Sequence, residues 1–551
     1  MNKLLVNHKY IEVQCARGDA ETLRLISEIP YHHSNRIKTK FRTSIRNVDK
    51  VLHLFRGIDS SNLDKAPLKV QEVYNAEMQR RRNTEFLLKN GNQREPGWLF
   101  AHQQLGRELA EVNNKFAFFY DTRTGKTPMS LQIIVDDIKK NPGHSWLVLC
   151  PLILIENAWL EDIKTFFPEL DFVNLHHKDK TKRLRNFEKK SSLYISNIES
   201  FINYREHIEK LPIHGCFVDE SSSMKSQKSK FGKAAVEYAN KLERWYLLSG
   251  APAPNGEWEY YRQLQSVDPY GVHQSWTQFK QHFFVNVSYS AQFEKLQTRG
   301  DRKDELMGLL RQYSLYVDKE DVLNTPGRDF IPVEVTMPSE LREQYDQLRR
   351  ELFLELKDVG TITAPSAAAK INKLNQVTSG FIIDTKQQQT HLISDYKFKA
   401  LDNLLTKIGD EQAIIWCIYR KEFEVLKKRL NSCACVYGDV SAAEKTENIR
   451  AFKDGKVQYL IANPASADKG LTLTNAKYAI YFSLSHSYEL WKQSTERIYG
   501  DISKQKHRCT YYILMTKGTV DKAIYNAVQN KGDMSMEILE HLKTGGDDDA
   551  Y

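Results

Sequence analysis

The chain has 551 residues, 41% hydrophobic and 27% charged, and a formal net charge of +9. That length exceeds what one core serves and predicts three or four units of ordinary domain size. The composition is that of a soluble globular protein, and no apolar run approaches the roughly 20 residues a membrane-spanning helix needs, so no membrane partner is expected.

The first residues, "MNKLLVNHKYIEVQCARGDAE", hold no sustained apolar stretch before a small-residue cleavage site, so no secretory signal is read. The charge is uneven: residues 1–90 carry 17 Lys and Arg against 10 Asp and Glu, which is +7 of the total +9. Within "NRIKTKFRTSIRNVDK" (35–50), Arg36, Lys38, Lys40 and Arg42 form the densest part of a patch suited to a polyanion. On charge alone, residues 1–90 read equally well as a module that recognises a polyanionic substrate or as a solvated basic surface.

From 91 to 285 short apolar runs alternate with helical patterns. "KFAFFY" (115–120), "SWLVLC" (145–150), "SLYIS" (192–196), "HGCFVD" (214–219) and "RWYLLS" (244–249) read as strands apolar on both faces, as a covered parallel sheet requires. Residues 286–390 differ: "KDELMGLLRQYSLYV" and "SELREQYDQLRRELFLELKDV" read as long amphipathic helices. The alternation returns over 391–545, with strands at "QAIIWCI", "CACVYG", "VQYLIAN", "KYAIYFS" and "CTYYILM". The seven cysteines are scattered, mostly in apolar runs, which suits reduced thiols in a cytoplasm. Cys433 and Cys435 stand too close together for ordinary metal-ligand spacing.

One loop carries chemistry. "KFAFFYDTRTGKTPMSLQIIV" reads as strand, loop and helix, and the loop "DTRTGKT" (121–127) suits phosphate. Gly125 lets the backbone turn toward the phosphates, Lys126 brings a positive charge, and the Thr127 hydroxyl can ligate Mg²⁺. The helix that follows adds the positive end of its dipole. A second half of such a site ends another strand: Asp219 can hold Mg²⁺ and Glu220 can polarise an attacking water.

With these residues in place, the chain resembles the Swi/Snf-type ATPases of helicase superfamily two over roughly 95–530. "LFAHQQ" (99–104) is similar to the family motif whose glutamine, here Gln103, reads adenine. "LVLCPLILIENAWLEDI" matches the segment after the phosphate loop, including Pro151 and Trp159. "VDESSSMK" stands for Asp-Glu-Ala-His with its following lysine, Lys225, and "LLSGAPAPN" resembles the coupling motif ending in Asn255. "YVDKEDVL" and "INKLNQVTSGF" resemble the family's insertions, and "IANPASADKGLTLTNAKYAIYFS" its fifth motif, with Gly470 at the turn. The resemblance implies an α/β fold of two RecA-like parallel-sheet lobes with helical insertions, ahead of which stands a small basic N-terminal domain. It implies ATP and Mg²⁺, nucleotide contacts from Gln103, Arg123, Thr124, Gly125, Lys126, Thr127 and Gly470, and metal contacts from Thr127 and Asp219. It implies a catalytic set of Lys126, Glu220, Gln493 and Arg497, and DNA-facing Asn197, Lys225 and Asn255. Residues 24–55 look somewhat like the HARP-type modules of annealing and phage recombination helicases.

Three positions depart from the family pattern. Arg123 stands where glycine is usual, and Ser222 replaces the histidine of the second motif. In "QSTERIYGDISKQ" (493–505) Gly500 stands where a second arginine is expected, and an arginine finger contributes roughly 10³–10⁵ in rate to other nucleotide hydrolases. Arg497 alone suffices, another cation such as Arg123 or Arg508 stands in, or turnover is weak. The expected function is an ATP-driven motor on double-stranded or branched DNA, monomeric, in a prokaryotic or phage-infected cytoplasm. The alternatives are an ATP-gated DNA clamp with vestigial hydrolysis and an RNA helicase.

Overall fold

In the computed structural model the described residues are 3–6, 10–14, 20, 24, 33–34, 40–44, 66–90, 97–268, 275–287, 296–323, 327–358, 364–384, 389–466, 473–499 and 507–530. They fall into two compact units, one holding the chain through Asn286 with Leu296–Val322, the other the chain from Leu323.

The first unit opens with four antiparallel strands: β1 (Lys3–Val6), β2 (Tyr10–Gln14), β3 (His33–Ser34) and β4 (Lys40–Ser44), in the order β1-β2-β4-β3. Glu12 on β2 faces Arg42 on β4, and the two side chains pair at 2.6 Å. Helix α1 (Ala66–Lys89) packs onto the following lobe through Glu77, which binds Arg80 and Arg81 at 2.8 and 2.9 Å and accepts from the Tyr313 hydroxyl at 3.3 Å.

The lobe itself is a seven-stranded sheet of β5 (Lys115–Tyr120), β6 (Ser145–Cys150), β7 (Phe172–Asn174), β8 (Leu193–Asn197), β9 (Ile213–Asp219), β10 (Arg244–Leu248) and β13 (Ser314–Val317), ordered β13-β5-β10-β9-β6-β8-β7. All six pairings are parallel. Side chains alternate across a strand, and the sequence supplies an apolar residue to both faces. Phe116, Phe118, Trp146, Val148, Tyr246 and Leu248 fill the core on one side. Ala117, Phe119, Leu147, Leu149, Trp245 and Leu247 fill the other. The strands β5, β9 and β10 are neighbours in that order β5-β10-β9, so their carboxyl ends, where ligands of open α/β sheets bind, lie side by side. A two-stranded ribbon of β11 (Phe284–Asn286) and β12 (Leu296–Thr298) is set apart from the sheet.

The second unit is built on six parallel strands: β14 (Arg328–Val335), β17 (Ala413–Trp416), β18 (Cys433–Val436), β19 (Tyr459–Ala462), β20 (Tyr478–Tyr481) and β21 (Cys509–Thr516), ordered β14-β21-β20-β17-β19-β18. A hairpin of β15 (Phe381–Asp384) and β16 (Gln389–Leu392) lies outside it. Its core runs continuously into the helices Ser339–Asp358 and Ala364–Thr378 through Tyr345, Leu352, Ile371 and Leu374. A buried ion pair, Lys397 with Asp521 at 2.8 Å, is completed by the Thr378 hydroxyl and the Thr516 N–H, both donating to Asp521.

The middle stretch departs from the helical expectation at β12, at the β15–β16 hairpin and at one edge strand of each sheet. The helix Lys303–Tyr313 stops before "SLYV", which becomes β13 on the edge of the first sheet, and Arg328–Val335 becomes the edge of the second. The run "SLYV" continues the helical pattern without a Gly or Pro break, whereas "RDFIPVEV" follows Pro326 and Gly327 and holds Pro332. Pairing with β5 and β21, which is a long-range event, decides their state. Among the described residues no helix is long and apolar enough to cross a membrane.

Candidate active site

The phosphate-loop candidate leaves the carboxyl end of β5 and enters helix α3 (Lys126–Lys140), with helix α2 (Ala101–Val112) packed against it. Two loop residues take left-handed backbone: Arg123 at φ 65° and Gly125 at φ 78°. Glycine does so freely, whereas a residue with a Cβ loses roughly 1–2 kcal/mol. The loop path that favours glycine at position 123 is therefore kept, at the arginine's expense. The Thr124 hydroxyl donates to the Asp121 carbonyl at 2.7 Å, and the Lys126 ammonium donates to the Tyr120 and Asp121 carbonyls at 2.9 and 3.1 Å. Gly125 brings no side chain to cap α3, so the first-turn N–H groups are left for a ligand, as a phosphate site needs.

The loop is clamped from α2. The His102 ring donates from Nε2 to the Thr124 carbonyl at 2.7 Å, and burial keeps its pKa low against the opposing pull of that bond. Gln103 donates from its amide to the Gly125 carbonyl at 2.9 Å and to the Thr124 carbonyl at 3.3 Å, while its oxygen accepts from the Phe100 N–H at 2.8 Å. A Cβ on Gly125 would displace that amide from the loop. In this state the glutamine expected to read adenine spends its carboxamide on the loop.

Across β10, the end of β9 presents Asp219 and Glu220. Asp219 is 5% exposed; one carboxylate oxygen accepts from the Trp159 indole N–H at 3.0 Å and the other from the Glu220 N–H at 2.9 Å. Burial and then the Glu220 charge push its pKa up to about 6, while Lys126 and the Trp159 bond pull the other way. Trp159 is wholly buried in a single π turn, Ile155–Leu160. Such turns insert one residue into a helix and often re-aim a side chain at a site. Glu220 is half-buried and takes φ 55°, a second strained non-glycine residue at the same edge. A buried carboxylate at a strand end, near a lysine, has the chemistry of a Mg²⁺–phosphate site.

The loop after β10 lies against the first: Ser249 donates its N–H to the Phe118 carbonyl at 3.3 Å, and Gly250 packs on Thr122 and Tyr120. Asn255 is exposed and ties its amide to Glu259 at 2.6 Å; Lys225 is half-buried. Asn197, expected on a DNA-facing surface, is 4% exposed and donates to Glu199 at 2.6 Å. It ends β8 and opens the helix Ile198–Asn203, so its side chain is drawn into that junction.

In the second unit Arg497 is 7% exposed, its carbonyl accepting from the Leu473 N–H at 2.9 Å, and Gln493 is half-buried. Arg508 is exposed and held by Asp329 at 2.7 and 2.9 Å. Lys40 and Arg42 are exposed on β4, Arg42 bound to Glu12. Arg36, Lys38, Gly470 and Gly500 lie outside the described residues.

A model of the SNF2-related domain matches residues 21–392, and one of the helicase conserved C-terminal domain matches residues 396–499. The chain belongs to the SNF2-related family. It is a DNA-dependent ATPase of helicase superfamily two, related to proteins of DNA repair and remodelling. It is 24% identical over 413 residues to protein p41 of Acyrthosiphon pisum secondary endosymbiont phage 1, covering 72% of this chain and 88% of that one. It is 19% identical over 405 residues to the SWI/SNF-related matrix-associated actin-dependent regulator of chromatin subfamily A-like protein 1 of Drosophila melanogaster, covering 71% and 50%. It is 22% identical over 341 residues to the DNA annealing helicase and endonuclease ZRANB3 of Bos taurus, covering 59% and 30%. The chain thus spans half or less of those two animal proteins.

For this SNF2-related chain, His102 was not singled out in the quoted "LFAHQQ", and Trp159 was named in "LVLCPLILIENAWLEDI" as a family match without a role. An indole N–H in an apolar stretch needs a buried acceptor, which was the available signal, but only the fold shows that Asp219 is the acceptor.

Proposed function

We propose that the protein is an ATP-driven motor that translocates on duplex DNA and remodels branched DNA or displaces bound proteins. The observation that carries this is the phosphate loop and Asp219–Glu220 at strand ends of one sheet with only β10 between them, and Lys126 close enough to oppose the rise of the Asp219 pKa. Relatives named as a DNA annealing helicase and as a DNA repair and recombination protein support the choice of DNA. In this reading the loop N–H groups and Lys126 bind the ATP phosphates, Gln103 leaves the loop for adenine, and Glu220 orients the attacking water. Thr127 and Asp219 would hold Mg²⁺, which supplies charge to the leaving phosphate. Arg497 and Gln493 complete the catalytic set, and Lys225, Asn255, Lys40 and Arg42 meet the phosphate backbone, giving salt-sensitive binding with little sequence preference.

The test is steady-state ATP hydrolysis across single-stranded, duplex, forked and four-way DNA. Duplex or forked DNA is expected to raise turnover at least about tenfold, and Lys126→Ala to abolish it. The second reading, favoured by Gly500 in place of an arginine, is an ATP-gated clamp. Tight ATP-dependent binding with no turnover would establish it, and stimulation by RNA alone would overturn both.

Arg123 is proposed as the stand-in for the missing arginine. Arg123→Gly then lowers turnover at least about tenfold, and Gly500→Arg in that background restores part of it. Relief of the left-handed strain offsets the entropy gained by the unfolded chain, so thermal stability holds or rises by up to about 1 kcal/mol. Undiminished turnover in Arg123→Gly ends this assignment.

A further inference from the structure

The second motif has lost its histidine, yet its turn is wired to the coupling loop by another route. Just after Glu220, the Ser221 hydroxyl donates to the Gln263 side-chain oxygen at 2.8 Å. The Gln263 amide donates to the Pro252 carbonyl at 2.8 Å and to the Glu259 carbonyl at 3.2 Å. Every polar atom of this carboxamide is used, and both Ser221 and Gln263 are buried, at 0% and 1% exposure. Ser222, which stands in the histidine's place, is also buried.

Gln263 lies on the inner face of the helix Tyr260–Val267, between Tyr260, Leu264 and Val267, where a leucine would pack without a desolvation penalty. A polar side chain retained there and fully satisfied specifies one arrangement of the groups it joins. Those groups are the turn that carries Glu220 and the 249–255 loop. The loop's exposed end, Asn255, is fixed from the same helical segment: Glu259 accepts from the Asn255 side-chain amide at 2.6 Å and from its backbone N–H at 3.1 Å.

We propose that Gln263 is a positioning residue that couples DNA engagement by the 249–255 loop to the placement of Glu220. This rests on the motor reading above. A shift of Pro252 is passed through one rigid carboxamide to Ser221, the residue next to Glu220. Spatial continuity alone does not establish coupling, so the test measures it.

The measurement is ATP turnover of the full chain with and without duplex DNA, for Gln263→Leu, Gln263→Glu, Ser221→Ala and the double variant Ser221→Ala/Gln263→Leu. Gln263→Glu keeps an acceptor for Ser221 but loses the donor to Pro252. The ratio of stimulated to unstimulated kcat is expected to fall about tenfold in each single variant, within the range such couplings span. KM for ATP stays within about twofold. The double variant is expected to lose no more than Gln263→Leu alone, because both changes cut one link. Full stimulation in folded Gln263→Leu, or losses that add in the double variant, would overturn the coupling. If Gln263→Leu does not fold, Ser221→Ala removes only a hydroxyl and decides alone: retained stimulation overturns the proposal. Absence of stimulation in the unaltered protein overturns the motor reading itself and is a distinct result.

Discussion

Glu220→Gln is expected to lower DNA-stimulated ATP turnover by roughly 10²–10⁴-fold while nucleotide binding persists, the span a positioned general base contributes. The substitution is informative because it preserves shape. Glu220 sits at φ 55° with its N–H given to Asp219 at 2.9 Å and its carbonyl accepting from the Ser223 N–H at 3.0 Å, so the backbone rather than the carboxylate holds the turn. Strain of this kind costs on the order of 1–3 kcal/mol and persists only where the surroundings enforce it. Glutamine fits the same conformation and removes only the base. Single-turnover hydrolysis and binding of a fluorescent ATP analogue separate chemistry from affinity; turnover within about tenfold of the unaltered protein would take Glu220 out of the role.

Asp219→Asn should do two opposite things: abolish Mg²⁺-dependent turnover and stabilise the ligand-free protein. Burial, with the Glu220 charge behind it, raises the Asp219 pKa from the ordinary 3.8 to about 6. Between those values the native state binds more protons than the unfolded chain, so stability from this group is full below about pH 4 and is lost as pH rises through about 6. At pH 7.5 the ionised carboxylate therefore costs the empty protein roughly 2–3 kcal/mol, of which asparagine recovers part, because its one oxygen accepts from Trp159 or from the Glu220 N–H but not from both. Thermal unfolding without nucleotide or Mg²⁺ is expected to show the variant more stable at pH 7.5, with the gap closing toward pH 4. A variant less stable at both pH values would contradict this account. Bound Mg²⁺ would reverse the balance by favouring the ionised form, so the instability belongs to the empty site.

Much of this was legible in the residues. β5 and β6 fall on the quoted runs "KFAFFY" and "SWLVLC" without a shift, and most other strands differ from theirs by one or two residues at an end. Strands covered on both faces must be apolar throughout, and that pattern survives translation into sequence. Gly125, Lys126 and the Asp219–Glu220 pair were visible for a similar reason: each sits at a strand end, where a change from apolar to polar residues marks the boundary. The edge strands β13 and β14 were not visible, because their partners β5 and β21 are roughly 200 and 180 residues away along the chain and nothing local records them.

The sequence by itself determined the family, the alternation of strand and helix, and the residues able to bind phosphate and metal, because each of these depends on residue type and local order. Only the tertiary structure decided what those residues face. It set Trp159 on Asp219, turned Gln103 to the loop, buried Asn197 against Glu199, and joined Ser221 to Pro252 through Gln263. Hydrogen bonds between residues tens of positions apart are fixed by how helices and strands pack. The loop's left-handed turn at position 123 is likewise a demand of the folded backbone, and Arg123 meets it at a cost that a glycine would avoid.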